Sequence, residues 1–218
     1  MTSKYFSHKV SFDSIVEHNP TLDCWGEYWH LESNPNEKFS WNHNVFSESE
    51  LEKIMVIGKR SNIKRAETGG HGENCLHHRR SFVSWIRPNE HTSWIFKKLC
   101  DLVQSNNREY FKFDLTMIEK LQFTYYTAEE DGCYKQHIDP MDWNLPHNRK
   151  LSIILQLSNP SEYDGGEIKL YHGYDPIVIP KERGRIIFFP SYTLHEVTPV
   201  TRGERYSLVA WVHGPAFK

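Results

Sequence analysis

Two histidines, one aspartate and one arginine in the C-terminal third of this chain could together do metal chemistry. His137-Ile138-Asp139 is followed far downstream by His195, and Arg205 lies ten positions after that histidine. Two imidazoles and one carboxylate form a three-donor set that leaves positions open on the ion, a pattern suited to non-haem Fe(II). A guanidinium offers a carboxylate a planar fork of donors. The combination implies iron and a dicarboxylate held side by side.

A lone His-x-Asp/Glu carries no weight, because composition alone would produce roughly two copies. The chain has three: His30/Glu32, His71/Glu73 and His137/Asp139. The first two have no strand context and no downstream partner, and they read as surface or capping residues. The third ends a strand-like stretch, Tyr134 to Ile138, where residues i and i+2 point to one face, and Pro140 stops the strand. His195 alone would read as a core or edge histidine, and Arg205 alone as half of a surface ion pair. In this order, on expected strands, they read as one site. A hairpin at Thr201-Arg202-Gly203-Glu204 is expected to place both inside the same barrel.

The elements that must position these residues are legible in outline. Residues 1–46 read as an irregular arm packed through Trp25, Trp29 and Trp41, and residues 47–218 as the domain proper. Ser47 and Glu50 form a capping box, Leu51, Ile54 and Met55 share a helical face, and Gly58 is expected to end that helix. Segment 58–80 carries six Lys/Arg against two acids. It reads as a solvated loop, with a substrate-facing loop favouring an acidic partner as the sharper alternative. Ser81 to Ile86 has strand character, and 92–105 is expected to be a helix with Ile95, Leu99, Leu102 and Val103 on one stripe. Short strands follow at 121–126, 134–138, 151–157, 167–171, 176–179, 185–189, 196–200 and 206–212, with Asp164-Gly165-Gly166 as a turn signal. This order predicts a mostly β fold with flanking helices, a double-stranded β-helix (jelly roll) core buttressed by N-terminal helices.

Length and composition fit that reading. A chain of 218 residues is expected to form a single domain, and 14% aromatic content suits a β-rich core and an aromatic-lined cleft. A net charge of -2 gives no electrostatic case for nucleic acid or membrane partners. The four cysteines, Cys24, Cys75, Cys100 and Cys133, are scattered and read as reduced thiols. With no apolar leader run and no membrane-length apolar stretch, a cytoplasmic location is expected.

Three stretches carry a family resemblance. Tyr134-Lys-Gln-His137-Ile-Asp139, Leu157-Ser-Asn-Pro-Ser-Glu-Tyr-Asp-Gly-Gly-Glu-Ile168, and the block from Phe188 through His195 and Arg205 to Trp211 resemble the Fe(II)/2-oxoglutarate-dependent oxygenases. Within them, the chain resembles the prolyl 4-hydroxylase-like group with bacterial and phage members. The likeness covers residues 118–215, with a looser extension upstream through 48–57 and 80–85. It implies that His137, Asp139 and His195 hold Fe(II) and that Arg205 anchors the far carboxylate of 2-oxoglutarate. Ser207 and Tyr126 are implied helpers, with Tyr125 as fallback. Gln156 stands where the family carries an aromatic or apolar residue. Ser152 and Ile154 should share its pocket-facing side. Trp211, Trp143 and Arg149 are implied at the substrate, Trp143 on a lid formed by residues 141–149. His147, His172 and His213 are not expected as ligands. The implied reaction is hydroxylation of a substrate C–H bond by O2 with release of succinate and CO2, a dioxygenase activity that also leaves room for ascorbate. The first-choice substrate is a prolyl residue in a protein or peptide. Alternatives are a free amino acid or small metabolite, or a cupin-like jelly roll that holds a metal without oxygenase chemistry. Nucleic-acid demethylation is disfavoured because position 211 is Trp rather than a second arginine.

Overall fold

Caps and apolar stripes decide where the helices form. The computed structural model of the chain describes residues 7–9, 38–66, 74–139 and 148–215. Two short strands, β1 (Ser7–Lys9) and β2 (Ser40–Asn42), precede α1 (Glu48–Arg60). The Glu50 N–H donates to Ser47 Oγ and the Ser47 N–H to the Glu50 carboxylate, so the expected capping box is present. Leu51 and Ile54 are buried on the inner face.

Gly58 does not end this helix. α1 continues to Arg60, and Gly58 is the point where the helix lies directly on the ring of Phe123, into which any Cβ would run. Gly58 O also accepts a hydrogen bond from Ser84 Oγ at 2.8 Å. Gly58→Ala gains about 1 kcal/mol in helix propensity. Overpacking a fully buried ring costs about 1–3 kcal/mol and outweighs that gain. The variant should melt below the wild type; a higher Tm would show that the ring yields freely.

The chain continues through β3 (Lys64–Arg65), α2 (Asn74–His78), β4 (Arg79–Arg80), β5 (Phe82–Ile86) and α3 (Ser93–Asn106). Segment 58–80 is therefore not simply a solvated loop: it contributes strands at both ends of its described part, and Arg79 is buried. In α3, Ile95, Leu99, Leu102 and Val103 are buried, as their spacing requires. The remaining strands are β6 (Met117–Ile118), β7 (Leu121–Thr127), β8 (Cys133–His137), β9 (Asn148–Gln156), β10 (Tyr163–Gly165), β11 (Ile168–Tyr171), β12 (Pro176–Ile179), β13 (Ile186–Pro190), β14 (Leu194–Val197) and β15 (Val200–Gly214).

These strands build two antiparallel sheets. The larger runs β1-β2-β13-β9-β15-β7-β5-β3, with β6 and β10 also on β15; the smaller runs β12-β11-β14-β8-β4. Facing each other, they form the expected jelly roll, and β2 brings part of the N-terminal arm onto the larger sheet beside β13. Alternation along β9 sorts its side chains. Leu151, Ile153 and Leu155 pack outward under the helices with Leu51, Leu99 and Phe123, whereas Ile154 packs inward with Tyr126, Tyr163, Phe189 and Val197. Of the tryptophans expected to pin the arm, Trp41 packs on Phe39 at 5.3 Å between ring centres. Trp25 and Trp29 lie outside the described residues.

The expected hairpin at 201–204 is absent. β14 belongs to the smaller sheet and ends at Val197; Thr198-Pro199 carries the chain across, and β15 then runs unbroken in the larger sheet. The glycine turn at 164–166 is the companion crossing, since β10 pairs with β15 and β11 with the smaller sheet. Gly165 and Gly203 have φ near +69° and lie against the backbones of Pro199 and Glu162, where a side chain has no room. His195 and Arg205 thus reach one interior from opposite sheets. No helix of the described residues is long and apolar enough to cross a membrane.

Candidate metal centre

β8 and β14 run antiparallel with His137 opposite His195. Two residues past His137 the chain leaves the sheet, and the Asp139 N–H donates to Ser191 O at 3.0 Å. One ligand atom from each of His137, Asp139 and His195 lies within 4.8 Å of the others. The remaining ring nitrogens are engaged: His137 Nδ1 donates to Lys135 O at 2.7 Å and His195 Nδ1 to Thr193 O at 2.9 Å. That bonding assigns Nε2 as the free lone pair on each ring. Ser152 Oγ donates to Asp139 Oδ2 at 2.5 Å and lies 2.9 Å from Ser191 Oγ.

Protonation states suit a cation. Burial, then the neighbouring His195, pushes the His137 imidazole down to about 3. Burial opposes ionisation of Asp139, but His195 and the Ser152 hydroxyl outweigh it and hold the carboxyl below its ordinary value. A neutral imidazole and an ionised carboxylate are the forms that ligate metal. The depressed His137 value has a definite sign in the metal-free protein. Between pH 6.5 and about 3 the unfolded chain binds a proton that the folded chain refuses, so this contribution to stability is whole above 6.5 and lost on acidification. Chelator-treated protein should therefore lose Tm from pH 7 toward pH 4 more steeply than His137→Gln; parallel profiles would refute this.

A second group of polar atoms gathers at Arg205, which is 1% exposed. Its Nη2 donates to Gln156 Oε1 at 2.8 Å, and its guanidinium lies 5.4 Å from the centre of the Tyr126 ring. Gly166 leaves room for it: a Cβ there would lie 2.8 Å from Arg205 Cδ. Arg205 Nε, Gln156 Nε2 and Tyr163 Oη are all buried without a hydrogen-bond partner. Buried polar atoms are nearly always satisfied. Three potential donors left over beside one guanidinium therefore fit a carboxylate ligand. Ser207 is buried opposite Gln156 in the β9–β15 register. Tyr125 points outward and donates to Glu204 at 3.0 Å.

A cavity of about 230 Å3 is lined by His137, Asp139, His195, Tyr126 and Ile154, with Trp211, Arg149, Trp85 and Arg79 also on its walls. The Arg149 guanidinium lies 3.9 Å over the Trp211 ring and is held by Glu119 at 2.6 and 3.0 Å. The Trp211 indole N–H has no partner of hydrogen-bond geometry, yet lies close enough to Asp139 to help keep it ionised. Trp143, His147 and all of the expected lid but Asn148 and Arg149 lie outside the described residues. His172 and His213 stand apart from the ligand cluster; His213 Nε2 meets Glu119. The sequence reading missed two residues here. Tyr163 sits on a three-residue strand too short to show its parity, and Arg79 lies in a segment whose composition suggests solvent.

Fold and site together describe a jelly-roll protein built around a two-histidine, one-carboxylate metal site with a buried arginine nearby. Residues 121–213 match the model of the 2OG-Fe(II) oxygenase superfamily. A PKHD-type hydroxylase from Teredinibacter turnerae is 35% identical over 85 residues, which are 37% of this chain and 38% of that protein. The chain thus spans about two fifths of the curated relative's length. Among solved structures, a Pseudomonas putida prolyl-4-hydroxylase is similar at TM-score 0.67 and 19% identity, covering 82% of this chain and 94% of that one. A Trichoplax adhaerens prolyl hydroxylase, solved with a hypoxia inducible factor peptide fragment, is similar at TM-score 0.68 and 18% identity, covering 81% and 84%. These two likenesses concern the fold.

Proposed function

We propose that this chain is an Fe(II)- and 2-oxoglutarate-dependent dioxygenase that hydroxylates a C–H bond, with a prolyl residue in a protein or peptide as its substrate. The observation that carries the reading is the pairing, in one jelly-roll interior, of the His137–Asp139–His195 cluster with the unsatisfied donors around Arg205. The two imidazole Nε2 atoms and the Asp139 carboxylate would hold Fe(II). Arg205, Gln156 and Tyr163 would grip the far carboxylate of 2-oxoglutarate, with Tyr126 and Ser207 beside it. Bound there with O2, iron and 2-oxoglutarate supply the oxidising power: one oxygen atom ends in the substrate hydroxyl and the other in succinate, with CO2 released. The protein's own part is to orient the partners and keep the interior dry. Tyr126, Ile154 and Val197 wall the cavity, and Trp211 under Arg149 offers an apolar face on which a pyrrolidine ring can rest.

A hydroxylase reading is supported by the PKHD-type hydroxylase relative, and a prolyl substrate by the prolyl hydroxylases among the structural neighbours, one of them solved with a peptide fragment. The free thiols Cys100 and Cys133 fit a reducing, cytoplasmic setting. The test is an anaerobic titration of Fe(II) and 2-oxoglutarate, followed by their visible charge-transfer band. Aerobic turnover of proline-containing peptides, with ascorbate supplied, follows. The band should form, and a peptide should gain one oxygen atom as succinate accumulates. Bound iron without a band would overturn the reading in favour of a metal-holding jelly roll. Turnover of free proline but no peptide would move the substrate to small molecules. In the same titration Tyr163→Phe should raise the 2-oxoglutarate Kd roughly tenfold, the scale of one hydrogen bond to a charged group. An unchanged Kd would remove Tyr163 from the grip.

A further inference from the structure

Three arginines are more than nine-tenths buried: Arg79, Arg185 and Arg205. Arg185 is matched by Glu182, at 2.6 Å. Arg205 has the carboxylate of 2-oxoglutarate in the reading above. Arg79 has no counter-charge: among the described residues no carboxylate pairs with it, although it lines the same cavity as the metal ligands. It is well fixed by neutral groups. Its Nε donates to Ser81 Oγ at 2.8 Å, its Nη2 donates to Gln122 Oε1 at 2.9 Å, and its guanidinium lies 4.5 Å over the Tyr134 ring. Thr124 Oγ1 donates to the same Gln122 oxygen at 3.2 Å, so that oxygen is oriented toward the arginine.

Burying an unmatched guanidinium is costly unless an anion joins it. Loading the site does not supply one. Fe(II) and dianionic 2-oxoglutarate cancel, Asp139 offsets Arg205, and Glu119 matches Arg149; the charge of Arg79 remains. Cations also lie in the adjoining space, although Arg65 there is itself paired with Glu130 at 2.7 Å. A second cavity of about 560 Å3 shares Arg79, Trp85 and Gln122 with the first and is lined further by Lys64 and Arg65. The ammonium of Lys120 lies 4.3 Å over the Trp85 ring. We propose that Arg79 is a specificity-determining residue that binds a carboxylate of the substrate itself, so that this enzyme selects molecules carrying an acidic group close to the carbon it oxidises. The proposal rests on the oxygenase reading and narrows its substrate class.

The test uses the full chain loaded anaerobically with Fe(II) and 2-oxoglutarate, with binding followed by tryptophan fluorescence. Two probe pairs separate the sources of the carboxylate: acetyl-Gly-Pro-Glu-Gly-amide against its Gln counterpart, and L-proline against L-prolinamide. In wild type at least one acidic probe should bind roughly ten- to a hundredfold tighter than its neutral partner, the scale of a charge-assisted pair. Arg79→Gln should erase that preference. Arg79→Lys, which keeps the charge and loses the fork, should retain part of it and guards against a folding failure of the first variant. Both variants should titrate with 2-oxoglutarate as wild type does. Equal binding of acidic and neutral probes to wild type, or no acidic probe binding at all, overturns the proposal. So does a loss of 2-oxoglutarate affinity in Arg79→Gln, which would place Arg79 in the co-substrate grip instead. A wild type without the charge-transfer band fails the oxygenase reading itself, a different result from a normal band with no carboxylate preference.

Discussion

Arg205→Ala keeps its iron and loses 2-oxoglutarate. Arg205 is 1% exposed and donates to Gln156, and its buried Nε has no hydrogen-bond partner, which leaves that donor for a ligand carboxylate. Truncation would leave that carboxylate desolvated with no opposite charge, a loss of about 2–5 kcal/mol for a buried charged partner. At about 1.4 kcal/mol per decade, the Kd should rise by roughly one and a half to three and a half orders of magnitude. The metal cluster is built from other strands and should be untouched. Anaerobic titration of the charge-transfer band, with bound iron assayed separately, measures both. Arg205→Lys should recover only part of the affinity, because a point charge cannot reproduce the fork. An alanine variant that titrates like wild type would dismiss Arg205 as the anchor.

Asp139→Ala should lose Fe(II). It removes the only carboxylate of the three and leaves two imidazoles, of which His137 is held neutral by burial. Ser152→Ala makes the graded comparison, since it removes only the hydroxyl that orients Asp139 at 2.5 Å. Partners of that kind are worth about 10- to 100-fold in metal affinity, and loss of the ligand itself should exceed that range. Metal titration of both variants, with circular dichroism to confirm the fold, decides the matter. If Ser152→Ala proved as damaging as Asp139→Ala, the short hydrogen bond and not the ligand would be the larger contribution.

What could be read from the sequence follows from which signals are local. Strand alternation is local, so β7, β9 and β12 were legible, and with them the inward side of Ser152, Ile154 and Gln156. The i, i+2 relation of His137 and Asp139 is local too. The route between His195 and Arg205 was not. A Thr-Arg-Gly-Glu stretch reads as a hairpin, but Pro199 and Gly203 instead serve a crossing between sheets, set by the close approach of the β10 and β15 backbones. Gly58 misled for a related reason: its use lies in a contact with Phe123, which sequence spacing does not reveal. Arg79 is fixed in part by Gln122, and Tyr163 lies beside Arg205, partners distant in the chain.

Asp139 stands between the two sheets. It follows β8 of the smaller one, yet bonds to Ser191 and Ser152 on the side of the larger. An ion shared by Asp139, His137 and His195 is therefore a clasp across the seam of the roll, and loading and folding become one linked equilibrium. Free iron at a hundred times its Kd would add about 2.7 kcal/mol to the stability of the closed form. Amide hydrogen exchange along β8 and β14 should then act as a gauge of iron supply. In a cell short of iron, the cost of an empty site would fall on how long the molecule lasts as well as on how fast it works.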